Sequence, residues 1–320
     1  MAKIKILLHS IWFPMAIAQY WRRALERRDD IELRTVGVGT GTWIPWEGGI
    51  NVQQKYAFTP DYPLPSSFSS PVADPEYVKT LLGDWKPDIT LTIDASSRWS
   101  SKPQRDAFGF IYTVGTDGHC LDYTDSRKYS DIFGNMHEQY AKAGDSILPY
   151  AYDPSCHYKE DVEKKYDVAM VGVKYTHRTE LCRQLQAEGI SVYYNNGEIF
   201  DEYRTATCQA HIGINWSSQD DLNARAFELP AMGVITVTNR TTDMGLPRHG
   251  YFDYAYQFEG ANEADHEHKT GAVMGAVEKV KYILANLPQA QKQADKLHEL
   301  IQPETYDNRV AQVLRECGFI

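Results

Sequence analysis

The sequence has no long hydrophobic run, no cysteine pattern and no excess of positive charge. It contains no stretch of about 18 consecutive apolar residues, so a transmembrane helix is not expected. The five cysteines are scattered and form no CxxC pair, which predicts neither a disulfide framework nor a zinc site. Reduced thiols in a cytoplasmic protein fit this pattern best.

The shortage of basic charge argues against a nucleic-acid-binding protein. The formal net charge is -10, whereas such proteins usually carry a basic footprint. A local basic groove on an acidic protein remains an alternative, formed by the cations Arg98, Lys102, Arg105, Arg127 and Lys128. The histidines His266 and His268 lie in an acidic stretch without a strong third ligand, so no metal site is expected.

The composition is globular, with 42% hydrophobic and 24% charged residues, and the length of 320 residues favours two domains. The chain opens with a strand at Ile4–Leu8, a helical pattern over residues 15–28 and a second strand at Ile31–Val38. This order predicts a doubly wound parallel α/β sheet. Further on, Asp74 and Pro75 are predicted to open a helix, and residues 128–143 are predicted to be helical.

A polar segment, Asp153–Lys165, separates two such α/β halves. The pattern before it ends in Leu148-Pro149, and a new strand begins at Asp167. We therefore predict a first domain over residues 1–152 and a second domain from residue 153. Ligands of open α/β sheets sit outside the carboxyl ends of the strands, so the cleft between the domains is the expected site.

The second half contains a short helix with an arginine and a glutamate three residues apart. The helix carries Arg225 and Glu228 on one face, ends at Gly233 and leads directly into an apolar strand. A carboxylate can accept hydrogen bonds from ribose hydroxyls, and an arginine can hold a diphosphate through two hydrogen bonds. The alternative is an exposed surface ion pair.

Two other groups of residues follow strands. Gly172, Lys174 and Arg178 lie between a strand and a helix, where backbone N–H groups and two cations would favour a diphosphate. The alternative is an ordinary solvated helix entry. Asp117 and His119 end a strand of the first half, and either could act as general base for an acceptor hydroxyl. The alternative there is a turn-capping aspartate with an incidental histidine.

Taken in order, these segments resemble the GT-B glycosyltransferases of the group-one-like branch. The resemblance covers about residues 110–320 and rests on five short motifs in the correct order. They are Asp167-Val168-Ala169-Met170-Val171-Gly172, Thr176-His177-Arg178-Thr179-Glu180-Leu181, Gly189–Tyr193 with Ile212–Asn215, Arg225-Ala226-Phe227-Glu228, and Thr305-Tyr306 with Arg309.

The resemblance implies two Rossmann-like doubly wound domains facing a cleft, with a second domain over 153–302 and a terminal helix, 303–320, crossing back to the first. It implies that Glu228 contacts the ribose of a nucleoside-diphosphate sugar, with UDP as the expected nucleotide. The first acidic residue of the family pair falls on Asp220, where the family usually has Glu; Asp221 is the alternative. The family also suggests a donor-side or catalytic role for Asp117 and His119.

The implied reaction moves a sugar to an acceptor hydroxyl with retention of configuration and without a required metal or other cofactor. Lys174, Arg178 and Arg225 are the candidates for stabilising the diphosphate leaving group. The acceptor is open: a small molecule, a glycan or a nucleic acid. Three alternatives also remain open, namely a glycosyltransferase acting on a hydroxylated DNA base, a nucleotide-sugar epimerase and a non-catalytic nucleotide-sugar-binding protein.

Overall fold

The computed structural model describes residues 2–44, 49–65, 67, 71–93, 97–217, 219–260 and 269–320. The chain divides into two compact units, Met1–Pro149 with Tyr306–Ile320, and Tyr150–Thr305. The histidines His266 and His268 lie outside the described residues. No helix in the described ranges has the length and hydropathy needed to cross a membrane.

The first unit is built on a parallel seven-stranded sheet with the order β11-β10-β9-β7-β1-β2-β5. Two smaller two-stranded sheets, β3-β4 and β6-β8, are formed by strands that follow β2 in the chain. The strands are β1 (Ile4–Trp12), β2 (Ile31–Gly39), β3 (Trp43–Ile44), β4 (Ile50–Asn51), β5 (Tyr62–Pro63), β6 (Val72–Ala73), β7 (Ile89–Ile93), β8 (Arg98–Trp99), β9 (Phe110–Gly115), β10 (Ile132–Asn135) and β11 (Ser146–Ile147).

Helices of the first unit come from both ends of the chain. They are α1 (Ile17–Glu26), α2 (Pro75–Leu82), α3 (Arg105–Phe108), α4 (Thr124–Tyr129) and, after the second unit, α10 (Tyr306–Glu316). The predicted start of α2 is confirmed: the Asp74 side chain accepts a hydrogen bond from the Glu76 N–H, and Pro75 occupies the first turn. This cap satisfies one of the N–H groups that a helix start leaves without a partner.

The second unit has a parallel five-stranded sheet with the order β13-β12-β14-β15-β16. Its strands are β12 (Tyr166–Val171), β13 (Val192–Asn195), β14 (Ala210–Asn215), β15 (Ile235–Asn239) and β16 (Tyr256–Phe258). Its helices are α5 (Thr176–Ala187), α6 (Phe200–Cys208), α7 (Arg225–Ala231), α8 (Lys269–Ala285) and α9 (Leu287–Ile301). The doubly wound α/β class predicted for both halves is confirmed.

One predicted helix is wrong. Residues 128–143 contain the end of α4, the strand β10 and a 3-10 turn at Glu138–Tyr140. The strand pairs in parallel with β9, with Ile132 opposite Tyr112 and Asn135 opposite Gly115. Pairing with a neighbouring strand overrides the helical pattern because strand preference depends mainly on tertiary surroundings.

Candidate active site

The turn between β12 and α5 is in direct contact with Arg225. Gly172 lies in this turn with a φ of 136°, and its N–H donates to the Asn195 carbonyl over 2.9 Å. A Cβ at this position would come within 2.5 Å of the Arg225 guanidinium. Only glycine accepts this backbone conformation without strain and lets the arginine approach so closely. The structure therefore brings together two of the residues predicted to bind the donor.

The two cations of this turn have different surroundings. Lys174 is exposed, and its Nζ lies 5.3 Å from the centroid of the Tyr194 ring. Arg178 is buried, and it donates from Nε to the Trp216 carbonyl over 2.9 Å and from Nη1 to the Val173 carbonyl over 3.0 Å. Burial, followed by the nearby charge of Arg225, lowers the pKa of Arg178 to about 10. Arg178 therefore braces the turn against the segment after β14.

Glu228 is buried on α7, three residues after Arg225. Its Oε1 lies 3.7 Å from Nε2 of His157. The hydroxyl of Tyr203 belongs to the same cluster, and its pKa is raised well above the usual value by burial first and by the charge of Glu228 second. The Glu228 carboxylate is thus held among buried polar side chains. This burial does not fit the alternative of an exposed surface ion pair.

The two aspartates before α7 contact neighbouring loops. Asp220 is exposed, and its Oδ1 accepts the Thr242 N–H over 2.7 Å. Asp221 accepts a hydrogen bond from the Ser217 hydroxyl. Both side chains therefore help to shape the segment that precedes α7, and their contact with a donor stays a prediction.

In the first unit, Asp117 and His119 lie in a tight turn at the end of β9. The Thr116 hydroxyl donates to Asp117 Oδ2 over 2.9 Å, and the Asp117 N–H donates to the Tyr123 hydroxyl over 2.7 Å. Within the described residues, Nδ1 of His119 is buried and has no hydrogen-bond partner. A buried polar atom of this kind is costly unless something satisfies it, which suits a role in binding a ligand.

His137 stands beside this turn and was not predicted. Its Nε2 lies 3.1 Å from the Thr116 carbonyl, and its ring is 5.9 Å from the Tyr140 ring. A Cβ on Gly118 would come within 2.7 Å of Tyr140, so the turn packs closely against that ring. The wrong helix over 128–143 concealed His137, because a strand there would have placed it at the same sheet edge as Asp117.

His157 was also missed, because the segment from Asp153 onward was interpreted as a polar boundary. The backbone N–H of His157 donates to the Asp153 carbonyl over 2.8 Å, which makes one helical turn. An aspartate followed four residues later by a histidine was the signal available in the sequence. Asp153 and His157 are both buried.

A cavity of about 540 Å³ lies in the first unit, against the strands β7, β8 and β9 and the helix α4. Thr92 and Thr113 contribute hydroxyls from adjacent strands, and Arg98, Asp122 and Asp125 contribute charges. The hydroxyl of Ser97 is buried in its lining and has no hydrogen-bond partner in the described part of the chain. Leu121 and Asp122 join this cavity to the turn that holds His119.

Two of the five cations proposed for a basic groove are paired with carboxylates. Arg105 lies 2.9 Å from Asp131, and Arg127 lies 2.7 Å from Asp145. Burial alone would raise the pKa of Asp145, but hydrogen bonds led by Arg127 lower it overall. These pairs reduce the positive charge available to a phosphate backbone.

Residues 158–315 match the family model described as glycosyl transferase-like. Among solved structures, the chain is similar to sucrose-phosphate synthase from Thermosynechococcus elongatus, at 12% identity, 98% and 99% coverage of the two chains and a TM-score of 0.60. It is also similar to an α-glucosyltransferase in complex with UDP and a 13-mer DNA containing an HMU base, at 10% identity, 99% coverage of each chain and a TM-score of 0.58.

A UDP-N-acetylglucosamine 2-epimerase is similar at 11% identity, 99% and 98% coverage and a TM-score of 0.56. No curated protein matches the chain. The structural likenesses establish the GT-B fold, and the family match over residues 158–315 includes Arg225 and Glu228. The protein is therefore a glycosyltransferase of the GT-B fold. The region that matches the glycosyl transferase-like model spans most of the second unit and continues into α10.

Proposed function

We propose that this glycosyltransferase uses a UDP-sugar as donor and transfers the sugar to a hydroxyl of a neutral small molecule or glycan. The observation that carries the donor assignment is the contact between the Gly172 turn and the Arg225 guanidinium, with Glu228 on the same helix. UDP is also the nucleotide in the complex of the similar α-glucosyltransferase.

The proposed donor site assigns a different part of the nucleotide to each group. The N-terminus of α5 and the cations Lys174 and Arg225 take the diphosphate, because N–H groups and positive charge stabilise the leaving group. Glu228 accepts the ribose hydroxyls. Arg178 stabilises the turn between β12 and α5 through its hydrogen bonds to two backbone carbonyls. Asp220 or Asp221 would complete the sugar end of the site.

Retention of configuration and independence from metal belong to the same proposal. The positive charges just named supply the electrostatic stabilisation that a divalent ion would otherwise provide. Asp117 and His119 are proposed to contact the transferred sugar or the attacking hydroxyl. His119 supports this role through its buried Nδ1, for which the described residues offer no partner. A cytoplasmic location is proposed as well, supported by the five described cysteines, which form no disulfide with one another.

The acceptor is assigned to the cavity next to the Asp117–His119 turn. Hydroxyls of Thr92, Ser97 and Thr113 suit a neutral hydroxylated ligand, and two carboxylates oppose a phosphate. A hydroxylated base in DNA is the second candidate, because the similar α-glucosyltransferase was crystallised with such DNA. The ion pairs of Arg105 and Arg127 weaken that candidate.

The test is a screen of nucleoside diphosphates by thermal shift, followed by turnover of the stabilising UDP-sugar with acceptor mixtures and with EDTA. We expect UDP to raise Tm and the sugar to be transferred without added metal. We expect Asp117→Asn and His119→Gln to lower kcat by roughly 10²-fold or more while UDP affinity stays within about twofold. The anomeric configuration of the product, read by NMR, tests retention.

Three outcomes would contradict the proposal. If no nucleotide stabilises the protein, the donor assignment is wrong. If the donor is isomerised in the absence of any acceptor, the enzyme is an epimerase. If a salt-sensitive complex with duplex DNA forms and the base is glucosylated, the acceptor is nucleic acid and the cavity assignment is wrong.

A further inference from the structure

The segment that carries His157 is fixed on both sides. At its start, Asp153 Oδ1 accepts the N–H of Ser155 over 3.0 Å and its hydroxyl over 2.8 Å. At its end, Nη1 of Arg204 donates to the Cys156 carbonyl over 3.3 Å. These contacts join the segment to itself and to α6, so the backbone of His157 has a defined position relative to the second sheet.

The hydrogen bond at Nδ1 decides which nitrogen of His157 carries the hydrogen. The backbone N–H of Asp153 donates to Nδ1 over 3.2 Å, so Nδ1 acts as an acceptor. In a neutral imidazole the other nitrogen is then the donor. The ring is also held edge-on to Tyr203, with 5.8 Å between ring centroids. His157 therefore presents its Nε2–H in a fixed direction.

Glu228 lies beside this nitrogen. The distance from Nε2 to Glu228 Oε1 is 3.7 Å, which is longer than a hydrogen bond and is therefore an electrostatic contact. Both side chains are buried, so water screens this contact weakly. The partial positive charge at Nε2 attracts Oε1 toward His157. This attraction restrains the rotation of the carboxylate and leaves the other oxygen, Oε2, facing away from His157.

We infer that His157 is a positioning residue that orients the Glu228 carboxylate to receive the ribose hydroxyls of the donor nucleotide. The inference rests on the proposed function, in which Glu228 binds the ribose. His157 does not touch the donor in this account; it acts through the orientation of Glu228. Tyr203 limits the movement of the imidazole by packing edge-on against the ring.

Two substitutions separate the two nitrogens of His157. In His157→Gln, the side-chain amide places an N–H donor near the position of Nε2, so the contact with Glu228 is kept. In His157→Asn, the shorter amide can still accept from the Asp153 N–H but cannot reach Glu228. The pair is matched, because both variants remove the ring and only one removes the contact with Glu228.

The measurement is the affinity of each protein for UDP and for 2′,3′-dideoxyuridine diphosphate, by calorimetry. In the unsubstituted protein we expect UDP to bind about tenfold or more tightly than the dideoxy nucleotide, because a carboxylate accepts the ribose hydroxyls. We expect His157→Asn to lose most of this preference by weakening UDP alone, and His157→Gln to keep it. In turnover, His157→Asn should raise the donor KM more than it changes kcat.

A double-mutant cycle with Glu228→Gln completes the test. Once Glu228 is neutralised, His157→Asn should have no further effect on the ratio of the two affinities. The inference is overturned if His157→Asn weakens both nucleotides equally, which indicates general loss of structure, or if it leaves the ratio unchanged. If the unsubstituted protein binds no UDP, the proposed function fails as well; if it binds UDP and prefers it over the dideoxy nucleotide, only the role of His157 is in question.

Discussion

His9 shows how a single polar residue is kept inside the first unit. Its Nδ1 lies 3.4 Å from the Thr92 hydroxyl, and its ring packs 4.6 Å from the Trp99 ring. Burial lowers its pKa from 6.5 to about 3. The imidazole is therefore neutral at physiological pH, which makes it a structural group rather than a general base there.

This pKa makes the stability of the first unit depend on acid. The unfolded chain takes up a proton below pH 6.5, whereas folded His9 does so only near pH 3, so the stability is present above pH 6.5 and is lost as the pH falls. At pH 4.5 the loss is about 3 kcal/mol. We expect His9→Asn to unfold with a smaller difference in free energy between pH 7.5 and pH 4.5.

The readout for His9 is denaturant unfolding followed by tryptophan fluorescence, since six of the seven tryptophans precede residue 100. The quantity compared between the unsubstituted protein and His9→Asn is the difference in free energy of unfolding between pH 7.5 and pH 4.5. A substitution that lowers stability equally at both pH values leaves this difference unchanged. An unchanged pH dependence in His9→Asn would show that other groups cause the acid sensitivity.

At the scale of elements, the turn between β12 and α5 connects strand, helix and Arg225. We expect Gly172→Ala to weaken UDP binding by about tenfold, because the new Cβ would displace the guanidinium and the backbone would be strained at a φ of 136°. Calorimetry with UDP and the shift in Tm check this expectation.

Gly189→Ala is the matched control for that substitution. Gly189 follows α5 with a φ of 79°, and a Cβ there would meet nothing within 4 Å. Both variants should lower Tm through backbone strain, but only Gly172→Ala should weaken the binding of UDP. Equal affinities of the two variants for UDP would contradict the assignment of Arg225 to the diphosphate.

At the scale of the whole molecule, the first unit is completed by the last helix of the chain. Tyr306 of α10 is fully buried and stacks on Tyr20 of α1 at 5.6 Å. Arg309 donates to the Pro149 carbonyl over 2.7 Å, and Tyr112 donates to Glu316 over 2.6 Å. The terminal helix is therefore part of the core of the first unit, although the second unit precedes it in the chain.

Removing one ring from this contact should destabilise the first unit. We expect Tyr306→Ala to lower its free energy of unfolding by about 3–5 kcal/mol, the usual cost of deleting a large buried aromatic side chain. Tryptophan fluorescence follows this unit. Tyr282→Ala is the control, because Tyr282 is 57% exposed on α8. Equal unfolding of the two variants would mean that α10 adds little to the first unit.

Sequence reasoning succeeded where a signal was local. The helix start at Asp74 and the αL glycine at Gly233 are read from neighbouring residues, and the structure has both. It failed at residues 128–143, where pairing with β9 made a strand. It assigned Arg178 to stabilising the diphosphate, which stays a prediction, and did not anticipate that the guanidinium is buried on two backbone carbonyls.

The sequence by itself determined the α/β class, the two repeated halves and the glycosyltransferase resemblance, because strand and helix periods and short motifs are properties of neighbouring residues. Only the tertiary structure decided that Gly172 touches Arg225, that His137 joins the turn of Asp117, and that His157 faces Glu228. These partners lie far apart along the chain or on separate strands. Strand order and burial bring them together, and a pattern of neighbouring residues predicts neither.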